Sequence, residues 1–178
     1  MLAARSAFRT VLSLAAALAA SLPAALAANS HCPVTGAAIT PGPSSPQEMV
    51  NGAPIYFCCN DCVKMFRGDP EKYLLALSPG NCPVEGNPAR PDAALRLVVN
   101  NQLYYFCSHA CAAALEKDPA KYLKSLTDPV TKKSFTVTSD SPHQEYRGEQ
   151  FYFASADSKT IFDAAPDQYI VVFGERAP

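Results

Sequence analysis

Three short aromatic runs punctuate the hydrophobic pattern: Ile55-Tyr56-Phe57, Tyr104-Tyr105-Phe106 and Phe151-Tyr152-Phe153. Each follows a residue pair suited to a tight turn, Asn51-Gly52, Asn100-Asn101 or Arg147-Gly148. A turn ahead of a β-prone run predicts the second strand of a hairpin. Behind the first two runs, Asp61 to Phe66 and Ala110 to Leu115 predict one or two helical turns. Asp69-Pro70 and Asp118-Pro119 then open a second short helix, with Asp as N-cap and Pro at the first helical position. Tyr73 and Tyr122 are expected to pack back onto the strand aromatics.

The pattern recurs because the sequence does. Cys32-Pro33-Val34-Thr35-Gly36 returns as Cys82-Pro83-Val84-Glu85-Gly86, Tyr56-Phe57-Cys58 as Tyr105-Phe106-Cys107, and Cys62 as Cys111. A third copy keeps the framework in Asp128-Pro129-Val130, Tyr152-Phe153, Phe162, Pro166 and Tyr169. It replaces the thiols with Asp128, Ala154 and Ser158. Residues common to all three copies are therefore read as scaffold, and the cysteines as chemistry. The expectation is an α+β protein of three tandem small units, each a β-hairpin plus short helices, the third lacking cysteines. Their bounds are residues 28–78, 79–126 and 127–173, with 174–178 as a tail. A unit of about 45–50 residues is marginal as an independent core, so metal, disulfides or packing between units must contribute.

Before the first copy, Arg5 and Arg9 precede an uncharged apolar run from Val11 to Leu22, and Ala25-Leu26-Ala27 supplies the small residues of a cleavage site. Residues 1–27 are thus expected to be a signal peptide. The run is short for a membrane span; left uncleaved, it would anchor the protein to a membrane. Export, to a bacterial periplasm in the first instance, is the expected destination. Without Arg5 and Arg9 the chain has 13 basic against 16 acidic side chains. This lacks the basic excess of a nucleic-acid binder.

Seven cysteines and sixteen prolines, with no tryptophan, point to short elements joined by turns. Cys58 and Cys62, like Cys107 and Cys111, are one helical turn apart, so their sulfurs can face one point. Cys32 and Cys82 approach that point when each hairpin folds back. Three converging thiolates suit Zn2+ or Cu+. His31, Cys59 and His109 are possible additional ligands, each without a counterpart in the other unit. The rival reading is disulfide pairing in an oxidising compartment. Three cysteines per unit suit a metal better than a staple. No catalytic constellation accompanies them: the carboxylates are scattered, and neither a phosphate loop nor a Ser-His-Asp order occurs. Cys59-x2-Cys62 has redox-type spacing without a thioredoxin-like context.

Cys-Pro-Val-x-Gly, Tyr-Phe-Cys, Cys-x3-Cys, Asp-Pro and Tyr together resemble the YHS domain and the related TRASH domain of heavy-metal trafficking, resistance and sensing. The resemblance extends over nearly all of the chain after residue 27. Many members place the first cysteine after the valine, whereas here it precedes the proline. The resemblance implies treble-clef-like units and metal ligation by Cys32, Cys58 and Cys62 and by Cys82, Cys107 and Cys111. The expected function is capture, buffering or delivery of copper or zinc, with a metal-donor or acceptor protein as partner and without enzymatic activity. A thiol–disulfide redox protein and a disulfide- or zinc-stabilised interaction module are the alternatives.

Overall fold

A computed structural model describes residues 28–174 of the chain. The expected signal segment and the last four residues of the tail lie outside the described residues. Three two-residue turns organise the rest. Asn51 and Gly52, Asn100 and Asn101, and Arg147 and Gly148 all have positive φ, between 48° and 77°. Paired left-handed residues match the twist of a hairpin, so each turn closes two four-residue strands. These are β1 (Gln47–Val50) with β2 (Ala53–Tyr56), β3 (Arg96–Val99) with β4 (Gln102–Tyr105), and β7 (His143–Tyr146) with β8 (Glu149–Tyr152). Two further strands, β5 (Ser125–Thr127) and β6 (Ser134–Thr136), form a separate antiparallel pair.

The three hairpins lie side by side in one six-stranded sheet of order β2-β1-β4-β3-β8-β7. Parallel contacts join them, Val50 to Leu103 and Val99 to Gln150. Each hairpin is followed by a nine-residue helix: α1 (Asn60–Gly68), α3 (His109–Lys117) and α5 (Ala156–Ala164). Asp69 and Asp118 cap the short helices α2 (Pro70–Leu74) and α4 (Pro119–Tyr122), accepting from the backbone of Lys72 and Lys121. The α+β class expected from the sequence is what the structure shows, and its hairpins share one sheet.

Packing ties the segments together. Phe66, Leu115 and Phe162 are fully buried at equivalent places on the three long helices, each contributing about 2–3 kcal/mol of hydrophobic burial. Leu103 and Tyr105, from the second hairpin, belong to the core under the first, and Tyr152 of the third belongs to the core under the second. The chain end returns to the beginning. Phe173 is buried in the first core, and the Gly174 N–H donates to Arg67 O at 2.7 Å. A Cβ at Gly174 would lie 2.3 Å from Gly68 O, so only glycine permits this approach. The buried Arg96 guanidinium donates to Gly174 O and to Glu71 Oε1, the latter at 2.8 Å, and the Tyr105 hydroxyl donates to the same carboxylate. His143 starts β7, exposed to solvent, with its ring stacked on Tyr152.

Candidate metal centres

Each long helix presents its first turn to the end of the preceding strand. Cys62, Val63 and Phe66 form the buried face of α1; Cys111, Ala112 and Leu115 form that of α3. The Cys62 and Cys111 sulfurs therefore point inward, beside Cys58 and Cys107, which follow the strands. Cys58 and Cys62 bring their sulfurs to 3.5 Å, and Cys107 and Cys111 to 3.6 Å. Tight turns deliver the remaining ligand: Cys32 N–H donates to Ala37 O while Gly36 N–H donates to Cys32 O, and Cys82 is held alike by Asn87 and Gly86.

The result is two groups of three, Cys32, Cys58 and Cys62 and then Cys82, Cys107 and Cys111, each with all sulfurs within 4.8 Å of one another. Zn–S bonds of about 2.3 Å in a tetrahedron place sulfurs ~3.8 Å apart, so both groups have the dimensions of a thiolate metal site. Cys32, Cys62, Cys82 and Cys111 are buried, Cys107 is half-buried and Cys58 is exposed. All seven cysteines are free thiols. Each group can hold a metal ion with one side open to solvent.

Electrostatics favour the thiolate at the turn position. Burial raises the Cys32 pKa, but the backbone N–H of Cys58, the hydroxyl and N–H of Thr35 and the N–H of Val34 outweigh it and bring it down to about 6. Cys82 is also lowered: against the effect of burial, it receives the backbone of Glu85, Cys107 and Val84. The helix thiols move the other way. Burial and the neighbouring sulfurs push Cys111 up to about 12, against the Ser108 hydroxyl, and Cys62 still higher. A cation entering either group would displace those protons.

The third segment shows what the same backbone does without thiols. Fully buried Asp128 accepts from the N–H groups of Val130 and Thr131, both at 2.9 Å, and of Ala154 at 2.8 Å. Val34, Thr35 and Cys58 supply the corresponding N–H groups to Cys32. A carboxylate therefore takes the place of the turn thiolate. Burial opposes its ionisation, and these amides together with Ser158 hold its pKa below the usual range.

The sequence reasoning missed an asparagine bracket at each group. Asn29 Nδ2 donates to His31 O and Tyr56 O, and its Oδ1 accepts from Tyr56 N. Asn51 makes the same three bonds to Asn81 O, Tyr105 O and Tyr105 N, at 3.0, 3.0 and 2.6 Å. Asn100 makes them to Thr127 and Tyr152. Each bracket clamps the residue before the turn ligand position to the residue two before the strand-end position. The second and third brackets come from the preceding hairpin's turn. Recurrence of Asn51 as Asn100 was a visible signal, but the turn alone accounted for both; Asn29 lies outside any turn and carried no signal.

His31 is exposed, with Nδ1 3.0 Å from Ser30 Oγ, and His109 is exposed at the start of α3. The structure brings neither into the groups of converging ligands found among the described residues. Cys59 is close: its sulfur is 3.4 Å from that of Cys62 and 4.0 Å from that of Cys58. In the second group Glu85 Oε2 lies 3.4 Å from Cys107 Sγ, a neighbour that no sequence motif singles out. Among the described residues, no helix is long and apolar enough to cross a membrane. Comparison with protein-family models, curated proteins and solved structures finds no match.

Proposed function

We propose that the protein is exported and captures, buffers or hands on a soft transition metal, Cu+ or Zn2+, through two cysteine sites. The observation that carries this reading is the convergence of two three-thiol groups at metal-site dimensions, each open on one side. Soft thiolates select such ions. An exposed or half-exposed sulfur lets a partner's thiol enter before the metal leaves, as delivery by ligand exchange requires. Under this reading the protein is not an enzyme, and its partner is a metal donor or acceptor. YHS/TRASH membership and treble-clef-like repeat units belong to the same proposal and rest on the sequence motifs. Cleavage after Ala27 would leave Asn29, the bracket of the first group, in the mature chain.

The third segment favours metal as cargo over metal as staple. Asp128 closes the same turn with hydrogen bonds from backbone amides and Ser158, so in the third segment this turn stands without an ion. Hydrophobic packing across segments provides the cohesion. An anaerobically purified mature chain should hold about two ions, one per thiol group. A chelator should remove them and leave the far-ultraviolet circular dichroism and the urea transition largely in place. Unfolding upon chelation would make the ions structural, and failure to load any metal after reduction would leave a thiol or disulfide scaffold.

A further inference from the structure

The two groups differ in ways that their shared motif conceals. The residue before each long helix has nearly the same backbone in all three segments, with φ from −158° to −154° and ψ from 160° to 166°. Ser108 and Ser155 use that place as N-caps, accepting from Cys111 N at 3.3 Å and Ser158 N at 3.2 Å. Cys59 makes no cap hydrogen bond of that kind, although the Cys62 and Asp61 N–H groups lie close enough to its sulfur to lower its pKa. The thiol lies instead against Cys62 and Cys58.

The turn loops differ in the opposite sense. In the first group Thr35 sets a neutral hydroxyl 3.5 Å from Cys58 Sγ. In the second, Glu85 sets a carboxylate 3.4 Å from Cys107 Sγ, with its Oε2 also accepting from Asn87. The first site thus has four sulfurs within reach and a neutral hydroxyl beside Cys58. The second has three sulfurs and one hard oxygen.

Resting on the metal-carrier reading, we infer that the two sites play different parts. Cys32, Cys58, Cys59 and Cys62 form a closed tetrathiolate site that retains a tetrahedral divalent ion. Cys82, Cys107 and Cys111 form a trithiolate site whose fourth position stays open beside Glu85, and metal exchanges there. Four protein ligands exclude incoming groups, whereas three leave a place for them. Cys59 is exposed and lies outside the converging trio, beside Cys58 and Cys62, so closing the site requires its side chain to turn toward Cys32.

The test uses the full mature chain with Zn2+ and Co2+ as probes. Cys107→Ala/Cys111→Ser leaves the first site alone, and Cys58→Ala/Cys62→Ser leaves the second. Ala154 and Ser158 already occupy the equivalent places in the third segment, so both pairs suit the fold. Zinc release to a chromophoric chelator from the unsubstituted chain should be biphasic, with the slow phase belonging to the first site. Cys59→Ser should convert slow release to fast and remove about a quarter of the first site's thiolate-to-cobalt absorption, as expected for four ligands becoming three. In the second site it should change neither quantity. Release in one phase, or a first site indifferent to Cys59→Ser, would overturn the division of labour while leaving two metal sites standing. Absence of Co2+ binding in both paired variants would sink the carrier reading itself.

Discussion

Asn51→Gly tests whether the first hairpin helps build the second cysteine group. Glycine keeps the positive φ that the turn needs, so the substitution removes the side chain and spares the backbone conformation. Three hydrogen bonds are lost, to Asn81 O, Tyr105 O and Tyr105 N. At about 1 kcal/mol net for each, the clamp is worth about 3 kcal/mol, less what water restores at the exposed Asn81 carbonyl. Cys82 adjoins Asn81, and Cys107 lies two residues beyond Tyr105. The lost bonds therefore loosen the two ligand segments against each other, and ordering them falls to the metal. A weakening of about 10- to 100-fold should follow at the second site. The assay is zinc titration against a competing chelator in the paired variants that retain one site each. Asn51→Gly should weaken the Cys82 site alone, and Asn29→Gly the Cys32 site alone. Equal weakening of both sites by Asn51→Gly would show general loosening, and no effect at either would refute the bracket as a positioning device.

Two other outcomes follow from particular residues. Restoring thiols at Asp128, Ala154 and Ser158 by triple substitution to Cys should add about one metal ion per chain, because the backbone amides around Asp128 match those around Cys32; unchanged stoichiometry by elemental analysis would deny that equivalence. Burial raises the Glu149 pKa to about 7, only partly opposed by Arg96. The folded state thus holds this proton more tightly than the unfolded state. Its stabilising contribution is complete below about pH 4.5 and lost as pH rises through about 7. Discounted for the partial exposure of the side chain, the loss is about 1–2 kcal/mol. Glu149→Gln should flatten this slope between pH 5 and pH 8 in urea unfolding, and parallel curves for variant and parent would contradict it.

Much of the local structure was legible because it depends on near neighbours. Turn pairs such as Asn51-Gly52 adopt left-handed φ whatever surrounds them, and Asp69-Pro70 starts a helix through its own side chain and ring. The cysteine sites were legible for a related reason: Cys58 and Cys62 share a helical turn, and their spacing recurs at Cys107 and Cys111. Contrast with the thiol-free copy marked these residues as chemistry from the chain alone.

Tertiary structure decided how the copies meet. Parallel pairing of Val50 with Leu103 and of Val99 with Gln150, the return of Phe173 to the first core, and the buried Arg96 with Glu71 join residues distant in sequence, and no local periodicity encodes them. The same holds for the asparagine brackets, since a side chain that suits a turn also has donors and an acceptor whose partners are chosen only when hairpins dock. Cys59 shows the divide in one residue. Its sequence neighbours leave it a spare thiol; the fold sets it beside Cys62, where a serine in the other segments caps a helix.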